Sequence, residues 1–161
     1  MTNYKIRPIK PSEITLLKEF LYEAIFQRDE NNLLPKEIIY DAHVYQYIDG
    51  FGKADDSCLV AEADGRVIGA VWTRILSGEV KGYGYIDNST PEFAISLYKE
   101  YRNKGIGNAL MQNMLALLRK KGYKKVSLSV QKDNYALRLY RNLGFAVLEE
   151  SDEDYLMVYE F

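Results

Sequence analysis

The chain of 161 residues is poor in the side chains that cross-link proteins or bind metal ions. It contains one cysteine, Cys58, and one histidine, His43. A single cysteine excludes an intramolecular disulfide, and these two side chains cannot supply the Cys and His clusters of zinc or iron–sulfur sites. We therefore expect no bound metal. Because Cys58 lies within a predicted strand, we expect a buried, inert thiol there rather than a nucleophile paired with His43.

Long apolar runs and an excess of one charge are also absent. The longest apolar stretch, over residues 67–72, is far shorter than the ~20 residues of a membrane helix, and residues 1–11 lack the apolar core of a signal peptide. The 21 basic and 23 acidic side chains give a formal charge of −2. This balance gives no electrostatic reason to expect nucleic acid or an anionic membrane as partner. We expect a soluble, cytoplasmic protein.

Length and composition favour a single domain over residues 1–161. A domain typically takes ~150 residues, and a chain of this size buries roughly two thirds of its unfolded surface without cross-links. Hydrophobic residues make up 47% and charged residues 27% of the chain, which excludes a disordered or fibrous class. No internal repeat or linker-like segment divides the sequence.

Hydrophobic periodicity predicts strands and helices that build a mixed sheet. The first half is expected to form a strand over 4–9, a helix from Pro11-Ser12, a helix over 36–48, and strands over 58–63 and 66–75 joined by the turn Asp64-Gly65. After an irregular 78–90 segment, the second half is expected to form strands over 92–98, 126–130, 145–149 and 155–159, with helices over 105–121 and 134–142. A strand–helix–strand unit implies parallel pairing with a right-handed crossover, so we predict a three-layer α-β-α fold with a twisted, mixed sheet of about six to seven strands.

Most of the chemical information lies in residues 97–108, where a strand ends, a basic loop follows and two glycines begin a long helix. Free N–H groups and the helix dipole attract anions at such a helix start. Gly105 and Gly107 allow a phosphate to approach the backbone, and Arg102 and Lys104 add positive charge. The pattern suits a pyrophosphate, although it is neither a dinucleotide fingerprint nor a P-loop. The alternative is that the two glycines serve only a tight turn and close helix packing.

A second segment, over residues 134–145, contains Asn134, Tyr140 and the pair Gly144-Phe145. With this segment, the sequence resembles the GNAT family of acyl-CoA-dependent N-acetyltransferases over nearly its whole length. Residues 102–107 resemble the family's Arg/Gln-x-x-Gly-x-Gly/Ala motif. Residues 134–145 resemble its Asn-containing helix, which presents a tyrosine and ends in Gly-Phe.

The resemblance implies acetyl-CoA as co-substrate, bound where two parallel strands splay apart. The pyrophosphate would contact the backbone amides that follow Arg102, namely those of Asn103, Lys104, Gly105, Ile106, Gly107 and Asn108. The pantetheine arm would pair with the backbone of Ile95, Ser96 and Leu97 as an added strand. A bulge in this strand would free the Leu97 N–H to polarise the thioester carbonyl, and Asn134 would hydrogen-bond the pantetheine.

Two side chains are the candidate catalytic residues. By the resemblance, Tyr140 would donate a proton to the departing thiolate, since a phenol stays protonated at neutral pH; its alternative role is simple core packing. Glu92, at the start of the strand that leads to Leu97, is the candidate general base. Its alternative is a solvated carboxylate beside Pro91.

The sequence departs from the family pattern at three positions. Lys99 stands where many members have proline, and Asn103 where many have glycine, although asparagine tolerates a left-handed backbone better than most residues. Asp133 occupies the place of the family's usual asparagine, one residue before Asn134. Either of these two side chains could therefore face the co-substrate.

These features predict an N-acetyltransferase that moves an acetyl group from acetyl-CoA to a primary amine of a small molecule, peptide or protein by direct attack in a ternary complex. The alternatives are a non-catalytic acyl-CoA-binding or regulatory domain and a binder of another phosphorylated ligand. The sequence does not specify the amine, for which Trp72, Arg74, Tyr83 and Tyr85 are candidate pocket residues. Fold-level analogy makes a homodimer a candidate assembly.

Overall fold

A computed structural model describes residues 3–161 as one seven-stranded sheet with helices on both faces. The strands are β1 Lys5–Pro8, β2 Ser57–Ala63, β3 Arg66–Arg74, β4 Glu92–Leu97, β5 Lys125–Gln131, β6 Ala146–Glu150 and β7 Asp154–Glu160. Their order in the sheet is β1-β2-β3-β4-β5-β7-β6. The β4–β5 pair is parallel and the other neighbouring pairs are antiparallel, which confirms the predicted mixed sheet.

Four α-helices complete the layers: α1 Leu17–Ala24, α2 Ala42–Tyr45, α3 Ile106–Lys120 and α4 Leu137–Leu143. Alternate residues of the central strands face opposite layers, as the pleat requires. In β2, for example, Cys58 and Val60 pack in the cluster around α1, whereas Leu59 and Ala61 pack in the cluster around α3. The sheet therefore separates two hydrophobic cores.

The parallel pair β4–β5 is in register at a single position, Glu92 opposite Ser127. The Ser127 N–H donates to the Pro91 carbonyl over 3.0 Å. Toward their carboxyl ends the two strands carry no further register partners for each other. This is the splayed pair that the family resemblance implies.

The predicted helix over 36–48 is wrong. The chain forms a 3₁₀ turn over Lys36–Tyr40, and Asp41 then takes an extended backbone with ψ of 134°. Its carboxylate accepts a hydrogen bond from the His43 N–H over 2.9 Å and so caps the one-turn helix α2. Aspartate caps helices more readily than it continues them, because its side chain competes for backbone donors. The predicted helix over 134–142 likewise begins later, at Leu137.

The surface of the protein does not test the predicted homodimer. Strand β6 lies at the sheet edge with all five residues exposed, and the homodimer stays a prediction. Within residues 3–161, no helix is both long and apolar enough to cross a membrane. The same residues contain no group of three or more His, Cys, Asp or Glu side chains that could hold a metal ion.

Gly69 in β3 makes the close packing of β4 possible, which gives a test of the fold. A Cβ at Gly69 would lie 2.1 Å from Leu97 Cδ2 and 3.0 Å from the Ser96 carbonyl. We expect Gly69→Ala to lower the free energy of unfolding by about 1–3 kcal/mol, as overpacking does. Gly78→Ala is the matched control, since a Cβ there meets nothing within 4 Å. Urea denaturation measures both variants, and equal stabilities would contradict the packing described.

Candidate active site

A cleft of about 640 Å³ opens where β4 and β5 part. Its walls come from the chain after α1, the end of β4, the start of α3 and the segment that leads into α4. Of the residues predicted to bind the co-substrate, those that line it are Ile95, Ser96, Leu97, Arg102, Asn103, Gly105, Gly107, Asn108 and Asn134. Lys104 is exposed outside the lining, and the Ile106 side chain is buried in the core. The predicted residues from both motifs thus meet in one place.

The loop before α3 turns through two left-handed residues. Asn103 has φ of +61° and Gly105 has φ of +84°, so asparagine here adopts the conformation for which many family members use glycine. The first helical hydrogen bond runs from the Ala109 N–H to the Gly105 carbonyl over 3.1 Å. The N–H groups of Ile106, Gly107 and Asn108 therefore have no acceptor within the helix. This helix start can accept an anion.

The two glycines differ in what they contribute. Gly105 is required by its left-handed backbone. At Gly107 a Cβ would meet only ordinary contacts, the nearest 3.7 Å away at Leu97 Cδ1. Close helix packing therefore does not explain Gly107, which lines the cleft.

The Arg102 guanidinium connects the two walls of the cleft. Its Nε donates to the Leu97 carbonyl and one terminal nitrogen donates to Glu23 of α1, each over 3.0 Å. Lys99 makes a second, exposed ion pair with Glu30 at 3.3 Å. Much of the positive charge of this loop is thus paired with carboxylates across the cleft.

The edge of β4 that faces the cleft carries free hydrogen-bonding positions. Successive N–H groups of a strand point to opposite neighbours. Tyr98 donates toward β3, to the Ile68 carbonyl, and the Pro91 carbonyl accepts from β5. Ile95 and Leu97 therefore point to the β5 side, where β5 offers them no register partner.

The predicted bulge in β4 is wrong. The β3–β4 register is unbroken from Arg74 opposite Glu92 to Gly69 opposite Leu97. The Leu97 N–H is freed by the departure of β5, and a strand whose neighbour leaves needs no extra residue to expose it.

Asn134 and Asp133 point to different surroundings. Asn134 lines the cleft, and its Oδ1 accepts from the Ala136 N–H over 2.9 Å. This turn delays the start of α4. Asp133 instead pairs with Arg28 on the exposed surface, and this hydrogen-bonded pairing lowers the pKa of Asp133. Of these two side chains, Asn134 is the one that lines the cleft.

Tyr140 belongs both to the core and to the cleft wall. Its side chain is 9% exposed, packs against Phe145 with ring centroids 6.0 Å apart, and lines the cleft. The side-chain hydrogen bonds of residues 3–161 include none from its hydroxyl. Burial raises the pKa of Tyr140 above its ordinary value of 10.0, so the phenol is protonated at neutral pH and free to donate.

Glu92 lies outside the cleft lining, at the other end of β4 and about 10 Å along the strand from Ile95 at ~3.3 Å per residue. It is 2% exposed, so the solvated carboxylate considered from sequence is excluded. Oε1 accepts hydrogen bonds from the Tyr47 hydroxyl and the Gly84 N–H, each over 2.8 Å. Burial, acting against these two bonds, raises the pKa of Glu92 above its usual 4.5.

Sequence reasoning missed Tyr47, Gly82 and Gly84 around Glu92. A Cβ at Gly82 would lie 2.0 Å from Glu92 Oε2, and one at Gly84 3.0 Å from Oε1. The sequence signal for this close packing was the pair of glycines, separated by one residue, that precedes the predicted base. From sequence, the tyrosines of this stretch and not its glycines were the candidate pocket residues. Tyr83 is exposed and lies beside His43, with ring centroids 6.0 Å apart.

Trp72 and Arg74 position the Tyr47 segment and do not line the cleft. Trp72 Nε1 donates to the Tyr47 carbonyl over 3.0 Å. Arg74 is 4% exposed, pairs with Asp56 at 3.0 Å and donates to the carbonyls of Gln46 and Asp49. Both act as anchors for this segment.

Cys58 is 7% exposed, and burial raises the pKa of its thiol. Both observations agree with the buried, inert thiol expected from sequence. It lies away from the cleft lining.

Comparisons with known proteins show the family of this chain. Residues 20–145 match the model of the Acetyltransferase (GNAT) family, so the chain belongs to that family. It is 33% identical over 98 residues to a mycothiol acetyltransferase of Saccharomonospora viridis, covering 60% of this chain and 31% of that protein. It is 31% identical over 105 residues to an N-alpha-acetyltransferase of Sulfurisphaera tokodaii, covering 63% of each. The chain thus spans less than two thirds of these relatives.

Solved structures share the fold across nearly the whole chain. PaiA N-acetyltransferase of Thermoplasma acidophilum, crystallised in complex with coenzyme A, superposes with a TM-score of 0.68 at 20% identity and covers 99% of both chains. The protein smu.2055 of Streptococcus mutans superposes with a TM-score of 0.69 at 25% identity, over 97% of this chain and 98% of its own. These similarities confirm the predicted fold.

The different placements of Asn134 and Asp133 predict different effects on coenzyme A binding. Asn134→Ala should raise the Kd for coenzyme A about 3- to 10-fold, the effect of one lost hydrogen bond. Asp133→Ala, which breaks only the exposed pair with Arg28, should leave the Kd within about twofold. Isothermal titration calorimetry measures both, with thermal unfolding as the check on folding. A larger loss from Asp133→Ala would contradict the assignment.

Proposed function

We propose that this protein transfers an acetyl group from acetyl-CoA to a primary amine of a small molecule, peptide or protein by direct attack in a ternary complex. One observation supports this most strongly. The open edge of β4, the start of α3 and the buried phenol of Tyr140 share one cleft. Each of the three answers a different requirement of thioester aminolysis.

The first requirement is to hold the co-substrate. The unpaired N–H groups at the start of α3 suit the pyrophosphate, since a helix N-terminus combines free donors with a favourable dipole. Ile95 presents its backbone N–H and carbonyl to the cleft, where the amides of a pantetheine arm can add as a strand. The side-chain amide nitrogen Nδ2 of Asn134 is available as a further donor beside it.

The second requirement is to stabilise the oxyanion that forms when the amine attacks. The Leu97 N–H faces the cleft and is held by a regular β3–β4 ladder. A fixed N–H directed at the developing charge stabilises the transition state because it needs no reorganisation during the reaction. We assign this role to Leu97.

The third requirement is a proton for the leaving sulfur. As the C–N bond forms and the C–S bond breaks, the sulfur departs as a thiolate and takes the hydroxyl proton of Tyr140. The proton lost by the acetylated nitrogen then restores the phenol. Burial disfavours the tyrosinate, and the same low-dielectric surroundings disfavour the thiolate. The two effects oppose each other in the free energy of the proton transfer.

The attacking amine must be neutral. At pH 7 this costs roughly 4–5 kcal/mol for a lysine-like amine of pKa ~10.4, but only ~1.4 kcal/mol for an α-amino group near pKa ~8. Glu92 is the proposed base, and because it lies outside the cleft lining it receives the proton through water rather than by direct contact with the amine. The name of the Sulfurisphaera tokodaii relative specifies an α-amino group, which is the less demanding acceptor.

Direct attack is favoured over an acetylated enzyme. Cys58, the single cysteine, is buried, has a raised thiol pKa and does not line the cleft. A thiol that stays protonated is a weak nucleophile. Cys58 is therefore unsuited to carry the acetyl group, which supports direct passage from sulfur to nitrogen.

Tyr140→Phe tests catalysis against simple binding. We expect kcat to fall about 100-fold or more, as loss of a general acid does, while the Kd for acetyl-CoA stays within about twofold. Tyr135→Phe is the control, because Tyr135 lines the same cleft but is 64% exposed. Thiol release against a panel of amines gives the rates. Acetyl-CoA binding without transfer to any amine by the wild-type protein would favour a non-catalytic acyl-CoA-binding domain.

The pH dependence tests Glu92. A base works when deprotonated, and burial raises the pKa of Glu92, so kcat/KM should rise with pH through a midpoint above 4.5. Deprotonation of the amine adds a separate rise at higher pH. Glu92→Gln should remove the lower rise and reduce kcat/KM at least about 10-fold. An unchanged profile in this variant would exclude Glu92 as the base and leave Tyr140 and the cleft assignments standing.

A further inference from the structure

The Glu92 carboxylate is held asymmetrically. Both of its hydrogen bonds end on Oε1, from the Tyr47 hydroxyl and the Gly84 N–H. Oε2 is buried and has no hydrogen-bond partner among residues 3–161. A buried carboxylate oxygen without a partner is costly, so a carboxylate with one saturated oxygen and one bare oxygen calls for an explanation.

The direction of the Tyr47 hydroxyl is set by the backbone. Tyr47 Oη accepts a hydrogen bond from the Tyr83 N–H over 2.9 Å. The phenol has one proton, and the geometry directs it to Glu92 Oε1 at 2.8 Å. The phenol therefore works as a fixed donor. Burial and the neighbouring carboxylate both raise the pKa of Tyr47, which keeps this proton on the phenol.

The Tyr47 backbone is anchored to the strand beside β4. Trp72 and Arg74 of β3 bind the carbonyls of Tyr47 and its neighbours, and Arg74 is the register partner of Glu92. Tyr47 is thus anchored to β3, the strand that pairs with β4 beside Glu92.

Glycine lets the chain over Gly82–Gly84 pack directly against the Glu92 carboxylate. The segment over Gly82–Gly84 passes so close to Glu92 that a Cβ at Gly82 would lie 2.0 Å from Oε2 and 2.5 Å from the carboxyl carbon. An alanine here would displace the carboxylate. Because both donors bind Oε1 and none among residues 3–161 reaches Oε2, Oε2 is the oxygen that can take up a proton.

On the basis of the acetyl transfer proposed above, we propose that Tyr47 is a positioning residue for Glu92, whose hydroxyl saturates Oε1 and so makes Oε2 the oxygen that receives the amine proton through water. In this step an ammonium N–H bond breaks, the proton passes along the water to Oε2, and Glu92 becomes a neutral carboxylic acid. The free amine then attacks, and Glu92 returns its proton to solvent after the product leaves. No oxidant or further reactant is needed.

The hydrogen bond from Tyr47 opposes the effect of burial on the pKa of Glu92. Removing it should leave burial less opposed and raise that pKa further. Because the base works above its pKa, the lower rise of kcat/KM should then move to higher pH. At pH values above the shifted midpoint, Glu92 is again deprotonated and the rate should recover.

Tyr47→Phe is the direct test. We expect the lower limb of kcat/KM to move up by about one pH unit or more, since a hydrogen bond to a charged group is among the stronger ones. The high-pH plateau should stay within about threefold and the KM for acetyl-CoA should not change. Tyr45→Phe is the matched control, because Tyr45 is in the same segment but stacks on Tyr40. A lower limb that stays in place would overturn the proposal.

Carboxyl ¹³C NMR of the free protein gives a readout that needs no activity. The Glu92 resonance should titrate at higher pH in Tyr47→Phe than in the wild type and in Tyr45→Phe. Failure of acetyl transfer in the wild type would refute the proposed function while the titration still tests Tyr47. Equal titration in all three proteins would refute the Tyr47 role while leaving acetyl transfer standing.

Should Tyr47→Phe fold poorly, 3-fluorotyrosine at position 47 reverses the sign of the test. Fluorine makes the phenol a stronger donor and preserves the ring. We expect the Glu92 titration and the lower limb of kcat/KM to move to lower pH. Movement to higher pH, or none, would count against the proposal.

Discussion

The early separation of β4 from β5 is the constraint on which the rest of the site depends. The two strands are in register only at Glu92 and Ser127, and beyond this point the sheet gives up backbone hydrogen bonds that a parallel pair would normally form. Unpaired backbone groups are costly in a folded protein. Here they line a cleft where water or a ligand can satisfy them, so the gap in the sheet is also the binding surface.

The sheet divides the chemistry between its two faces. The face of α3 and α4 supplies the helix start, the Asn134 amide and the Tyr140 phenol, which are suited to an acyl thioester and its leaving group. The face of α1 and α2 supplies Glu92 and Tyr47, which are suited to the incoming amine. Strand β4 carries elements of both, because successive residues of a strand alternate in direction. An acyl group lying in the gap can therefore be approached from the amine side.

Features encoded within a few neighbouring residues could be predicted from sequence. The helix start after Arg102 and the turn Asp64-Gly65 follow from local backbone preferences, and the structure contains both. Asn103 adopts the left-handed backbone that asparagine tolerates. The helical spacing of apolar residues after Pro11-Ser12 also predicted a helix, and residues 11–24 are helical. Where a local competitor was overlooked the prediction failed: Asp41 caps a new helix and interrupts the predicted one, and the Asn134 turn delays α4.

The sequence by itself determined the family, the mixed sheet and the loop for an anion, because each is carried by short motifs and by periodicity along the chain. Only the tertiary structure decided that Leu97 is freed without a bulge, that Asn134 rather than Asp133 enters the cleft, and that Arg102 is paired with Glu23. It alone brought Tyr47 to Glu92, across 45 positions of sequence. Such contacts depend on how strands and loops pack in three dimensions, and no spacing rule along a single chain specifies them.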